Sequence, residues 1–378
     1  MPTTYLKLDE ISATLPSTFY YEAGHYEREL RQIWHKQWLL VGRADEVAAV
    51  GEYRVVKIGD QSVIITRGRD NQLRAFHNTC RHRGSILCEQ ARGKFRAQRI
   101  VCPYHAWAYS LEGELLATPW RLEGAGFDAA KYPLYDVAVG EWAGFIFINL
   151  DENAAPFGDQ TLADTPARLA NWNLGQTVSV HTMALDLKCN WKTFWDNFNE
   201  CLHCPSVHPQ LCRIVPQFRE GLASGNVIRG EGDNSSPLVE GAVTWSIGGK
   251  TELPWFEGLS EREQQAGATF GVFEPSGYVV VHVDYARVVH MLPISPEETR
   301  LTVSWLVPPQ TREHPEFSVE KLIALGEAVV LEDGRASEMN QQGLRSNRHE
   351  SGVLVPQEIF VRQFHDWVRQ QLSDDGNG

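Results

Sequence analysis

Between residues 17 and 42, Tyr26, Leu30, Ile33, Trp34 and Leu39 recur at near-helical spacing among Glu, Arg and Lys, which predicts one amphipathic helix. The pattern then changes. Runs rich in Val, Ile and aromatics occupy 53–58, 61–67 and 73–77, separated by Gly51, Gly59-Asp60 and Asp70-Asn71. That rhythm predicts an antiparallel β domain. It continues through 99–101 and closes with an apolar strand predicted over 142–150. Residues 151–163, with Pro156 and Gly158, read as a linker.

The second half opens with a predicted strand over 177–187 and then the dense segment 190–203, apolar at helical spacing and predicted to be a helix. Residues 221–266 are loop-rich. Strands of one sheet are expected at 278–284, 287–292 and 301–307, a long helix over 315–346 and a final amphipathic helix over 357–372. The chain is expected to comprise an N-terminal helical segment (1–36), a β domain (37–150) and a larger mixed domain (151–378), with the first segment lying on the third. No internal repeat or low-complexity tract interrupts this plan.

Composition narrows the class. A chain of 378 residues, 43% hydrophobic and 10% aromatic, has material for more than one folded core. Its formal net charge of −13, with no Lys/Arg tract, argues against binding to nucleic acid or an anionic membrane surface. It suits a cationic or neutral small molecule better. The N-terminal stretch has no basic region followed by an apolar core, so no secretory signal is expected, and no apolar run approaches the roughly 20 residues of a membrane span. A cytoplasmic setting is expected. Seven cysteines are too few for a disulfide scaffold in a chain of this length. Their clustering with histidines points to metal or catalysis.

Cys80-Arg-His82 and Cys102-Pro-Tyr-His105 form a C-x-H … C-x2-H pair, each half just after a predicted strand in a loop shaped by Gly84 or Pro103. A Rieske [2Fe–2S] centre takes two thiolates on one iron and two imidazoles on the other. Two loops that each supply one Cys and one His provide that set, with the His side facing the surface. A Cys2His2 zinc site is the alternative, although zinc modules usually pair Cys with Cys and His with His. The stretches 78–84 and 102–107 resemble the cluster loops of the Rieske non-haem iron oxygenase α subunits.

Glu200-Cys-Leu-His203-Cys-Pro-Ser-Val-His208-Pro places two histidines five residues apart. A helix running into a kink before Pro209 can aim both at one ion, and non-haem Fe(II) oxygenases use two His and one carboxylate. The segment Asn190-Trp-Lys … His208-Pro resembles the family's mononuclear iron motif, which implies that His203 and His208 are ligands. Glu332-Asp333 … Glu338 … Gln342-Gly-Leu resembles the family's distal segment, which implies Asp333 as the third ligand, with Glu332 and Glu338 as neighbours on the same helix. The resemblance assigns Glu200 to an inter-subunit bridge between a cluster histidine of one subunit and an iron-ligating histidine of the next.

The resemblance covers nearly the whole chain. It implies an α+β fold: an antiparallel β Rieske domain and a catalytic domain whose antiparallel sheet is covered by helices in a helix-grip-like arrangement. It also implies a [2Fe–2S] cluster, a mononuclear Fe(II), O2, an NAD(P)H-dependent flavin/iron–sulfur reductase as electron donor, and a homotrimer. One or both oxygen atoms would enter a C–H or C=C bond. The motifs resemble most the branch acting on glycine betaine, choline, carnitine and stachydrine, which implies hydroxylation and N-demethylation of a small quaternary ammonium compound. An aromatic acid or arene is the alternative substrate class. A Rieske electron carrier and a zinc-stabilised binding module are alternatives of other classes. Quaternary ammonium groups bind aromatic faces, and Trp191, Trp195, Trp245, Trp255, Phe256, Phe270, Phe273 and Tyr285 are candidates, each equally open to a core or lid role. The chain departs most from that branch in 221–266, where specificity is expected to lie.

Overall fold

In the computed structural model, residues 4–121, 126–228 and 235–373 are described. Contacts divide the chain into two units, Trp34–Thr161 and Met1–Ile33 with Leu162–Gly378.

The first unit is built from strands β1 (Leu39–Arg43), β2 (Glu52–Ile58), β3 (Gln61–Arg67), β4 (Leu73–His77), β5 (Arg92–Lys94), β6 (Arg99–Val101), β7 (Ala108–Ser110), β8 (Leu115–Ala117), β9 (Asp136–Trp142) and β10 (Phe145–Asn149). Seven of them form a sheet in the order β1-β10-β9-β4-β3-β2-β5, and three form a second sheet, β8-β7-β6. Two-residue turns that need left-handed backbone set the register. Gly59 (φ +57°) follows Ile58, which pairs with Gln61. Ala143 and Gly144 (φ +50° and +78°) separate Trp142 from its partner Phe145, the type I′ pattern that suits strand twist. The strand predicted over 142–150 is therefore two strands and a turn. Ile64, Phe76, Ile100, Tyr109, Leu111 and Leu134 form the buried core together with Cys80 and Cys102.

The second unit contains α1 (Ala23–Glu29), α2 (Trp191–Phe198), α3 (Cys204–Val207), α4 (Pro209–Ile214), α5 (Val319–Leu344) and α6 (Ile359–Ser373). Its five-stranded antiparallel sheet runs β11-β15-β14-β13-β12, from Val178–Leu187 (β11), Thr269–Phe273 (β12), Gly277–Val281 (β13), Ala286–Ser295 (β14) and Glu298–Val307 (β15). β13 is buried along its whole length, as a central strand covered on both faces should be. Short strand pairs, Thr4–Tyr5 with Val227–Ile228 and Ser12–Ala13 with Val353–Leu354, fasten the N-terminal segment to this unit.

Two predicted helices are shorter than expected. The helix over 17–42 resolves into a 3-10 turn (Ser17–Tyr20), α1 and a π turn (Leu30–Trp34), and residues 39–43 are a fully buried strand. Leu39-Leu40-Val41 is apolar on every side, and pairing with β10 outweighs the helical spacing of Leu39. The helix over 190–203 stops at Phe198. Asn199 ends it, and the Glu200 carboxylate captures the backbone N–H groups of Leu202 and His203, competing with helix continuation. Among the described residues no helix is long and apolar enough to cross a membrane.

Candidate metal centres

The two cysteine–histidine loops share one backbone design. Cys80 N–H donates to Ser85 O and Gly84 N–H returns to Cys80 O, both at 2.9 Å. In the second loop Cys102 N–H donates to Trp107 O at 2.8 Å and Ala106 N–H returns to Cys102 O at 3.1 Å. Each closing residue has left-handed backbone, Gly84 at φ +75° and Ala106 at φ +57°. Ala106 thus closes the second loop as Gly84 closes the first. Asn78 ties down the first: its side-chain oxygen accepts from Leu87 N (3.0 Å) and Cys88 N (2.8 Å), and its amide donates to Cys88 O (2.8 Å).

These loops bury both sulfurs and leave the imidazoles outward. Cys80 and Cys102 are 3% and 2% exposed, whereas His82 is exposed and His105 half-buried. Their rings lie 4.7 Å apart at 73°, and Trp107 stacks on His82 at 4.7 Å and 7°. Burial raises the Cys80 thiol above its ordinary value, which disfavours a lone thiolate there. The Tyr109 hydroxyl, 3.2 Å from Cys80 Sγ, accepts from Arg81 N–H at 3.1 Å and so has its own proton free for the sulfur. Two thiols inside, two imidazoles outside and a hydroxyl donor on a sulfur are the donor set that a Rieske cluster takes.

In the other unit, α3 is a single turn with His203 before it and His208 after it, and Pro209 starts α4. One turn plus its caps thus turns both imidazoles to one side, where Asp333 projects from α5. His208 Nε2 is 2.7 Å and His203 Nε2 3.4 Å from Asp333 Oδ1, with the rings 5.2 Å apart. Ligand atoms of the three residues all lie within 4.8 Å of one another. Each imidazole also has a carboxylate behind it. His203 Nδ1 faces Glu200 Oε1 at 2.5 Å and His208 Nδ1 faces Glu332 Oε2 at 2.7 Å. A carboxylate accepts, so each Nδ1 donates to its glutamate, which leaves Nε2, on the Asp333 side, as the nitrogen that would ligate a metal.

Electrostatics mark this as a site that needs a cation. Burial opposes charge on His203, yet hydrogen bonds with Asp333, Cys204 and Glu200 hold its pKa up at about 12. His208 is raised in the same way, with Asp333 as its main partner. Burial pushes Asp333 up, but the two imidazoles outweigh it and keep the carboxyl ionised below its usual range. Three acids around two imidazoles gain by holding positive charge, and a 2-His–1-carboxylate set suits divalent iron with positions left open.

A cavity of about 280 Å³ opens from the triad, walled by Phe198, Phe218, Trp245, Phe270, Tyr278 and Phe360. Of the eight aromatic candidates only Trp245 and Phe270 line it. Trp191 and Trp195 are buried and donate to Glu29 and to Pro275 O, and Tyr285 donates to Trp245 O. Phe198, Phe218, Tyr278 and Phe360 were not singled out by sequence, nor was the role of Glu332, which read only as a neighbour of Asp333. Glu338 instead accepts from Lys188 N–H, away from the triad. From the loop-rich stretch, Ala223, Ser224, Gly225 and Trp245 reach the cavity, and residues 229–234 lie outside the described ones.

The Rieske [2Fe-2S] domain family matches residues 37–128, and the ring-hydroxylating α subunit catalytic domain family matches residues 174–374. The chain is 31% identical to the glycine betaine monooxygenase oxygenase subunit of Chromohalobacter salexigens over 95% of this chain and 86% of that protein. It is 27% identical to the chloroplastic choline monooxygenase of Beta vulgaris over 96% of this chain and 78% of that protein. The crystal structure of a quaternary ammonium Rieske monooxygenase in complex with an inhibitor shares the fold, with a TM-score of 0.73 and 23% identity over 96% of each chain. The chain therefore belongs to the ring-hydroxylating oxygenase α subunits, which combine a Rieske [2Fe–2S] cluster with a mononuclear iron in a catalytic domain.

Proposed function

We propose that Cys80, Cys102, His82 and His105 hold the cluster, that His203, His208 and Asp333 hold the iron, and that the reaction is hydroxylation and N-demethylation of a small quaternary ammonium compound. The observation that carries this reading is the triad opening onto an aromatic-walled cavity of about 280 Å³, a volume suited to a small molecule. Relatives that act on glycine betaine and choline support the substrate class. When bound, the two iron groups supply reductive activation of O2, with electrons from an external reductase, here taken as NAD(P)H-dependent.

The protein's own residues supply geometry. Glu200 and Glu332 fix the tautomer and direction of His203 and His208. Aromatic faces hold a quaternary ammonium group by cation–π attraction, with no hydrogen-bond donor required of the ligand. They also keep water from the reacting methyl group. Hydroxylation of an N-methyl carbon gives a quaternary carbinolamine, whose O–H loses its proton as the C–N bond breaks, releasing formaldehyde and a tertiary amine. Glu200 accepts from His203 and keeps 14% of its side chain exposed, and the family resemblance supports a further role for it as inter-subunit bridge in a homotrimer working in the cytoplasm.

The test is oxygen uptake by the purified protein with a reductase and a panel of methylated ammonium compounds and aromatic acids. Uptake matched by formaldehyde is expected with an ammonium compound. Uptake coupled to product only for an aromatic acid would replace the substrate class and leave the oxygenase standing.

A further inference from the structure

The iron-side cavity contains a buried cation that the metal chemistry leaves unused. Arg287 on β14 is 4% exposed and lines the same cavity as Asp333. Sheet register explains its direction. Arg287 pairs with Val280, which pairs with Phe270, and Tyr278 lies two residues before Val280. Alternation therefore puts Phe270, Tyr278 and Arg287 on one face of the sheet, the face that walls the cavity. Among the described residues, the Arg287 guanidinium makes one hydrogen bond, Nη1 to Gly326 O at 3.1 Å on α5. Among the same described residues its Nε–H is buried without a partner, and no carboxylate pairs with it. The cavity's other arginine, Arg168, is already committed to Asp164 and to Phe270 O.

A buried guanidinium without a counter-ion is costly and is met by an anion when one is supplied. Its planar edge suits a carboxylate. We infer that Arg287 is the anchor for a carboxylate at one end of the substrate, so that the enzyme takes a zwitterionic methylated ammonium carboxylate in preference to the corresponding ammonium alcohol. The aromatic walls then receive the cationic end. This inference rests on the quaternary ammonium reading for the cationic end alone; the anionic end rests on Arg287.

Three ligands of one shape separate the two ends: trimethylammonioacetate, its alcohol analogue choline, and the uncharged-head isostere 3,3-dimethylbutyrate. Binding to the iron-loaded protein is measured by calorimetry for wild type, Arg287→Gln and Arg287→Lys, with the cluster spectrum and iron content reporting that each variant is folded. Arg287→Gln is expected to weaken both carboxylates by about tenfold to a hundredfold and choline by less than about twofold. Arg287→Lys, which keeps the charge and loses the planar fork, should weaken the carboxylates by less than Arg287→Gln does, and it carries the test if the Gln variant does not fold. Equal losses for choline and the carboxylates, unchanged carboxylate binding in both variants, or a wild type that binds none of the three would overturn the anchor. Should the two carboxylates bind wild type equally well and both need Arg287, the anchor stands and the ammonium reading falls.

Discussion

Glu332 shows how much of the proposed iron site depends on a residue one step away from the proposed ligands. Its carboxylate lies 2.7 Å from His208 Nδ1, while its neighbour Asp333 meets His208 from the other side at Nε2, also at 2.7 Å. Consecutive helix residues thus hold both edges of one imidazole. Replacing Glu332 with Ala removes the acceptor and is expected to lower iron affinity by about 10–100-fold with the cluster spectrum unchanged. Iron titration of the apo protein measures this, and unaltered affinity would deny Glu332 an orienting role. The residues proposed as ligands stand out in sequence because Cys-x-His, Cys-x2-His and the paired histidines are local patterns. Glu332 does not, since nothing in sequence tells which of two adjacent acids faces an imidazole 124 residues away.

The short helix α2 delivers the chain to His203 and His208, and a buried charge pair joins it to α1. Lys192 and Glu29 are both fully buried, with Lys192 Nζ 2.6 and 2.8 Å from the Glu29 oxygens and 2.7 Å from Asn190 Oδ1. Asn190 also caps the helix by accepting from Lys192 N–H. Burial lowers the Lys192 pKa, and Glu29 opposes that shift. Breaking such a pair leaves one charge uncompensated. Glu29→Gln is therefore expected to lose about 3 kcal/mol in denaturant unfolding, and adding Lys192→Met should restore part of it. A double variant no more stable than Glu29→Gln would refute the pairing. At this scale the sequence reading was mixed. Strands β2 to β4 and helices α5 and α6 were legible because their periodicity is unbroken. The ends of α1 and α2 were not, because strand pairing by Leu39–Val41 and the Glu200 side chain override local spacing.

For the whole molecule, Glu200 is the residue with most at stake. Within the chain it already serves His203, and the proposed trimer gives it a second partner on a neighbouring subunit. Glu200→Gln keeps an oxygen to accept from His203 Nδ1–H but removes the charge. Iron and cluster content are expected to stay at wild-type levels, with product formation falling by about a hundredfold. Turnover at the wild-type rate would remove Glu200 from the electron path. Light scattering provides the complementary test, with a particle of three 42.7 kDa chains expected. The trimer is an expectation from family resemblance alone, because the residues that form an interface carry no periodic signal of their own.

Helix α5 carries both Gly326, whose carbonyl holds the Arg287 guanidinium, and Asp333 of the proposed iron triad. They are seven residues apart, two turns on one face and about 10 Å along the axis. A helix in mid-span does not stretch, so this spacing works as a fixed gauge between the place where an acid group rests and the place where a methyl group is attacked. Substrate choice then becomes a measurement of length. Compounds of the right charges but the wrong reach would bind and be left untouched.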